Sequence, residues 1–147
     1  MSDAGYTSYC GLYCQDCIPS DSGLFLTAEK LQKHLQQLKF EEYAEIKARS
    51  NKIFEKYNEF SELLQAIINL KCGSPCRNGG GKAVCPVRDC TQSKGFQGCW
   101  ECERRQECEL LAPLKHIHPN IDYHLDLIAQ LGMDNWSSGR KSHYLWE

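Results

Sequence analysis

The sequence of 147 residues has no long apolar run. Its longest apolar stretches, such as residues 63–64 and 66–68, are far shorter than the roughly 20 residues that a transmembrane helix needs. It also has no marked excess of charge of one sign, because the formal net charge is -2 and the isoelectric point is near 6.2. These absences argue against a membrane protein and against a nucleic-acid-binding protein.

The first residues lack the basic and apolar segments of a secretory signal peptide, so we expect a cytoplasmic protein. Disulfide bonds do not persist in a reducing cytosol, and a cysteine framework there is typical of metal binding or catalysis. The composition is otherwise ordinary, with 41% hydrophobic and 24% charged residues. The length suits a single domain over residues 1–147.

Ten cysteines stand out against this background, and they fall into two groups. The first group is Cys10, Cys14 and Cys17, and residues 18–71 contain no cysteine. The second group is Cys72, Cys76, Cys85, Cys90, Cys99, Cys102 and Cys108. Thiolates are soft, tightly binding ligands, and two that are separated by about two to four residues can bind the same metal ion. All ten cysteines are therefore candidate metal ligands.

Ten thiolates can fill two four-cysteine sites, which predicts about two zinc ions per chain. The most self-contained pairing uses Cys85, Cys90, Cys99 and Cys102. A second site can then draw on Cys14, Cys17, Cys72 and Cys76, with Cys10 and Cys108 as spare or alternative ligands. The seven Lys and Arg residues of segment 71–108, against four Asp and Glu, would offset the negative charge of such sites.

The nature of the metal leaves alternatives open. An iron–sulfur protein for electron transfer or cluster carriage uses the same ligands. A zinc enzyme with an open coordination position is a further alternative, but the surplus of thiolates over histidine and carboxylate ligands favours closed sites. We therefore expect no catalytic residue. The leading prediction is a structural zinc and a binding or interaction function, with a protein or a small ligand as partner.

Apolar periodicity predicts a mainly α fold. We expect one helix from about residue 24, capped by Thr27, and a second over about residues 41–57. A third should follow Asn58 and carry the clearest apolar stripe: Phe60, Leu63, Leu64, Ile67 and Ile68. Periodicity stops from residue 71 to about 98, where glycine and proline are frequent, and bound metal would be needed to order this segment.

A last helix should begin near Asn120 and end at Gly132, and Trp136 should pack against the core. We expect the histidines to be structural, with His116 and His118 in a surface turn and His124 on the polar side of the last helix. The expected architecture is a small helical domain packed on a loop-rich metal-binding lobe. The helical part spans about residues 24–70 and 119–132, and the lobe spans about residues 10–17 and 71–110.

Several motifs together resemble the domain of unknown function 3795 family, a group of small cysteine-rich bacterial and archaeal proteins. The resemblance rests on the runs at residues 9–17, 70–77, 85–90, 94–96, 99–102 and 108–110, and on the closing run Leu131-Gly132-Met133-Asp134-Asn135-Trp136. It covers roughly residues 9–136 and implies a metal-binding, cysteine-rich protein. Two departures are the three residues between Cys72 and Cys76 and the apparent insertion at residues 79–82.

Overall fold

A computed structural model describes residues 2–147 of the chain. Within these residues the backbone forms α-helices joined by short 3-10 turns and loops, and it contains no β-strand. The α-helices are α1 (Asp3–Tyr6), α2 (Ser22–Gln37), α3 (Phe40–Ala48), α4 (Tyr57–Ile68), α5 (Pro86–Ser93), α6 (Ala112–Lys115) and α7 (Ile121–Leu131). The mainly helical fold class is confirmed. In the described part of the chain, no helix has the length and apolar character needed to cross a bilayer.

The chain divides into two compact units. The helical unit is Asp21–Lys71 and contains α2, α3 and α4. The cysteine unit consists of the residues up to Ser20 together with Cys72–Glu147, and it contains all ten cysteines. The prediction had grouped the last helix with the helical part, whereas the structure places α7 in the cysteine unit.

The helical unit starts at a side-chain cap. The Asp21 carboxylate accepts a hydrogen bond of 2.8 Å from the backbone N–H of Leu24, which satisfies a donor that the first turn of α2 leaves free. The predicted cap, Thr27, instead lies inside α2, where its hydroxyl donates to the carbonyl of Gly23. The side chains of Gln32 on α2 and Gln65 on α4 are joined by a hydrogen bond of 2.8 Å.

The predicted helix over residues 41–57 is interrupted. Helix α3 ends at Ala48, and Asn51 then caps a 3-10 turn, Lys52–Lys56, by accepting the N–H of Ile53. Of the apolar stripe on α4, only Leu64 is fully buried, and Leu63 is 60% exposed. The apolar stripe of α4 is therefore wider than the part of this helix that is buried in the helical unit.

The core of the cysteine unit is built around α7. Ile121, Leu125 and Ile128 are almost completely buried, and they form one cluster with Trp100 and Trp136. Helix α7 begins and ends close to the predicted positions. Its last turn is closed by Gly132, which has a φ of 78°. The apolar residues that the cysteine-rich segment lacks are thus supplied by the last helix.

Trp136 connects the N-terminal and C-terminal segments of the cysteine unit. Its predicted packing against the core is confirmed. It is fully buried, and its indole N–H donates to the Thr7 hydroxyl at 2.7 Å. Its ring also meets the Tyr13 ring edge-on, with 5.9 Å between centroids. Nearby, the Arg140 guanidinium donates to the Asp16 carboxylate at 2.9 Å. These contacts fix the loop that carries the first three cysteines.

Candidate metal centre

Four cysteines line one small cavity in the cysteine unit: Cys90, Cys99, Cys102 and Cys108. The cavity has a volume of about 30 Å³. Its remaining wall includes apolar side chains such as Val87 and Leu111, together with the cationic residues Lys94 and Arg105. A tetrahedral set of four thiolates is the usual ligand set of a structural zinc site.

Helix α5 supplies one wall of this cavity. The sequence predicted an irregular segment here, but Pro86 occupies the first helical position, where its missing N–H costs no hydrogen bond. Val87, Cys90, Thr91 and Lys94 recur at helical spacing and all face the cavity.

Cys85 precedes α5 as its N-cap residue and does not line the cavity. Five residues along a helix correspond to a rotation of about 140° from a whole number of turns, so the side chains of Cys85 and Cys90 leave α5 in different directions. Cys108 lines the cavity together with Cys90, Cys99 and Cys102, and the predicted pairing of Cys85 with Cys90 in one metal site stays a prediction.

A tight turn positions Cys99 and Cys102. The backbone N–H of Cys102 donates to the carbonyl of Cys99 at 3.1 Å, and the N–H of Cys99 donates to the carbonyl of Tyr9 at 2.8 Å. Gly98 precedes the turn because a Cβ there would lie 2.1 Å from the Trp100 ring. The ring of Trp100 therefore packs directly against the backbone that presents Cys99.

Arg105 lines the cavity, and no sequence motif singled it out in advance. Its guanidinium donates to the carbonyl of Trp100 at 3.2 Å and to the Asp126 carboxylate at 2.9 Å. Its Nε–H is buried and has no hydrogen-bond partner among residues 2–147. A buried donor without a partner is costly, and a thiolate bound to a metal is an acceptor that would satisfy it.

The donor atoms do not yet converge. Across residues 2–147, no group of three or more Cys, His, Asp or Glu side chains is arranged to hold a metal ion as it stands. Metal binding at the cavity therefore requires the side chains that line it to change conformation. The chemistry of the donor set and the unpartnered Nε–H of Arg105 both fit a metal bound by thiolates.

The other six cysteines lie outside this cavity: Cys10, Cys14, Cys17, Cys72, Cys76 and Cys85. All six are partly exposed, as are Cys90, Cys102 and Cys108 at the cavity, whereas Cys99 is buried. Two hydrogen bonds bring their segments together, since the N–H of Cys72 donates to the carbonyl of Pro19 and Arg77 donates to the carbonyl of Thr7.

Residues 6–113 match the profile of a protein family described as "Protein of unknown function (DUF3795)". This match spans well over half of the chain. The chain belongs to the DUF3795 family. No curated protein and no solved structure matches it at a significant level.

All ten cysteines of this DUF3795 protein lie inside the matched segment, from Cys10 to Cys108. The segment also contains Arg105 and the whole of α5. Helix α7 and the chain that follows it lie beyond the match, although they complete the core of the cysteine unit. The family resemblance predicted from the motifs is confirmed over residues 6–113, and the closing run at residues 131–136 lies outside the match.

Three histidines of the DUF3795 protein occupy positions that the sequence did not predict. His118 and His143 are buried, with the Nδ1 atom of His118 2.6 Å from the carbonyl oxygen of His143. His124 is also buried, and its Nε2 atom accepts the N–H of Lys141. The predicted surface turn for His118 and polar face for His124 are wrong, because residues 140–144 fold back over these side chains.

His143 makes the stability of this region depend on pH. Burial, reinforced by the neighbouring His118, lowers the pKa of His143 to about 4, from an ordinary value of 6.5. The unfolded chain therefore binds the proton more readily than the folded chain as the pH falls. We expect the free energy of unfolding to fall by at most about 3 kcal/mol as the pH drops from 6.5 to 4. This contribution to stability is fully present above pH 6.5.

Urea unfolding of the wild type and of His143→Gln at several pH values between 7 and 4 measures this contribution. The variant should show a shallower loss of stability in this range, and His34→Gln, a change at an exposed position on α2, should behave as the wild type. Equal pH profiles for the wild type and His143→Gln would show that His143 does not titrate with unfolding.

Proposed function

We propose that this protein binds zinc through the thiolates of Cys90, Cys99, Cys102 and Cys108, and that the metal has a structural role. The observation that carries the proposal is the presence of four cysteines on the wall of one cavity. Four thiolates leave no open position on a tetrahedral zinc ion, so such a site stabilises a fold and does not take part in catalysis.

The size of the cavity favours a single ion over an iron–sulfur cluster. A volume of about 30 Å³ has room for about one or two water-sized groups. A [4Fe–4S] cluster consists of eight heavy atoms and needs several times that space.

The charges around the cavity support thiolate ligands. The pKa of the Cys99 thiol is raised to about 12, chiefly by burial and in part by the nearby thiols of Cys10, Cys108, Cys102 and Cys90, because thiolates repel one another. A zinc ion removes this penalty by stabilising the thiolate form. Lys94 and Arg105 on the cavity wall offset the net negative charge that four thiolates leave around one zinc ion.

The activity of such a protein would be binding or interaction. The metal holds the 3-10 turns around Cys99 and Arg105 against α5, and the outer surface of the cysteine unit is then available to a protein or a small ligand. No side chain of the cavity needs to act as an acid, a base or a nucleophile in this function.

Metal analysis of protein purified without oxygen tests the proposal. We expect zinc, a colourless protein and little iron, and we expect Cys102→Ser to lose the zinc bound at the cavity. Cys17→Ser is the matched control, because Cys17 lies outside the cavity and its loss should leave this zinc in place. A brown protein that contains iron and sulfide, or an unchanged zinc content in Cys102→Ser, would contradict the proposal.

A further inference from the structure

The helical unit contains an open groove in which no cysteine takes part. Its volume is about 320 Å³, and it lies between one face of α3 and the chain that joins α3 to α4. All of its lining residues belong to the segment 41–58, and we call it the α3 groove. A volume of this size lies within the range of sites that bind small molecules.

One wall of the α3 groove is a single face of α3. Glu41, Ala44, Glu45 and Ala48 recur at helical spacing, and all four line the groove. Ala44 is buried and Ala48 is half-buried, and neither side chain extends beyond its Cβ atom. This wall therefore combines carboxylates with a small apolar surface along which an aliphatic chain can lie.

Aromatic side chains form another part of the wall, namely Phe54 and Tyr57. The 3-10 turn that presents Phe54 is held by Asn51, whose carbonyl accepts the N–H of Phe54 at 3.2 Å. The ring of Tyr57 packs against the ring of Phe40, with 5.3 Å between centroids. Aromatic faces attract ammonium groups. The packing of the helical unit thus positions two such faces at the groove before any ligand binds.

The charge of the α3 groove is negative and is not neutralised by the chain. Glu41, Glu45 and Glu55 line it, and among the described residues no Lys, Arg or His does. None of these three carboxylates makes an ion pair within residues 2–147. Lys47 on α3 lies over the ring of Tyr43 and does not line the groove. The groove is therefore complementary to a cation.

The arrangement of the carboxylates favours an extended organic cation. They do not converge on one point as metal ligands do, because the described residues contain no group of three or more acidic, histidine or cysteine side chains placed to hold a metal ion. Glu41 and Glu45 lie four positions apart on one helix face, so their Cβ atoms are about 6 Å from each other. A linear polyamine carries ammonium groups at a comparable spacing and joins them by methylene groups.

We propose that the α3 groove binds a linear aliphatic polyamine. The ammonium groups pair with Glu41, Glu45 and Glu55, and the methylene groups lie against the alanines and the aromatic rings of the wall. This binding site belongs to the helical unit and does not depend on the proposed zinc site. Both the charges and the open apolar space are required for it, so each can be tested by its own variants.

Equilibrium dialysis of the full-length, zinc-loaded chain with labelled spermidine at low ionic strength tests the charges. Glu45→Gln and Glu55→Gln should each weaken binding by about two- to fivefold, the effect of one partly exposed ion pair. Glu42→Gln is the matched control, because Glu42 lies on α3 but outside the groove, and it should leave the affinity unchanged. Equal weakening by Glu42→Gln, or no binding of spermidine to the wild type, would overturn the proposal.

A second pair of variants tests the space without changing any charge. Ala48→Leu fills part of the groove and should weaken spermidine binding by about tenfold. Ala66→Leu is the control, since Ala66 is exposed on α4 and does not line the groove. Unchanged binding by Ala48→Leu would show that spermidine does not enter the groove. If Ala48→Leu fails to fold by circular dichroism, the variants of the exposed glutamates decide.

Competition on the wild-type chain identifies the kind of cation. Butylamine, which has a single ammonium group, should displace labelled spermidine only at much higher concentration, and so should Mg²⁺. A capped trilysine peptide has the same charge as spermidine but a bulkier backbone, and it should also compete less well. Stronger competition by Mg²⁺ would reduce the site to a counterion cluster, and stronger competition by the peptide would assign the groove to a basic protein segment. Either result would overturn the proposal.

Discussion

Under the proposed function, removal of zinc from the intact chain is expected to unfold residues 72–110 and to leave the helical unit folded. Zinc bound by four thiolates contributes an apparent free energy of roughly 10 kcal/mol or more in small zinc domains, which exceeds the stability of many domains of this size. Residues 21–71 contain no cysteine and so lose no ligand contact when the metal leaves. The two units therefore respond differently to the same treatment.

Hydrogen exchange measured before and after exhaustive chelation checks this expectation residue by residue. Amide protection should fall by several orders of magnitude in α5 and in the turns around Cys99 and Arg105. Protection in α2 and α4 serves as the control within the same molecule, and added zinc should restore the original pattern whereas magnesium should not. Unchanged protection over residues 72–110 after metal removal would mean that the apolar core alone orders this segment.

Trp136→Ala is expected to destabilise the cysteine unit by about 3–5 kcal/mol. The substitution removes a fully buried indole, leaves a large cavity between Tyr13 and α7, and breaks the hydrogen bond to Thr7. Because Trp136 and Cys99 lie in the same buried cluster, the loss should also weaken zinc binding at the proposed cavity site.

Chemical unfolding of the zinc-loaded protein, followed by circular dichroism, measures this effect. Trp146→Ala is the matched control, since Trp146 is 66% exposed and stacks only on Tyr144 within the described residues. Its loss should change the unfolding free energy by no more than about 0.5 kcal/mol. Similar values for both variants would show that the buried position of Trp136 is not what stabilises the unit.

The sequence carried enough information for the helices and for the cysteines as a set. Strong apolar periodicity located α4 and α7 to within a few residues, because a helical face of this kind has few alternative structures. The family was identified by the resemblance of several sequence motifs to those of its members, and the family match confirms it. Helix α5 was missed because its eight residues are too few and too polar for periodicity to be visible.

Spacing alone could not predict which cysteines line the cavity. Spacing states which thiols are near along the chain, but α5 turns Cys85 away from Cys90, and the fold brings Cys108 to the cavity. Arg105 likewise has no sequence signature, since its significance lies in a buried Nε–H that only the fold creates. The histidines were misjudged for a similar reason, because residues 140–144 cover them from a distant part of the sequence.

The way in which the chain ends hold each other has a consequence for the order of folding. The Trp136 indole reaches Thr7 across 129 positions of sequence, and Arg140 reaches Asp16 across 124. On the ribosome, the helical unit is complete long before these partners are synthesised, so it can fold first. The loop with Cys10, Cys14 and Cys17 must wait for nearly the whole chain to emerge. During that interval its thiols are unprotected, and closure of the cysteine unit is the late, slow step that high contact order imposes.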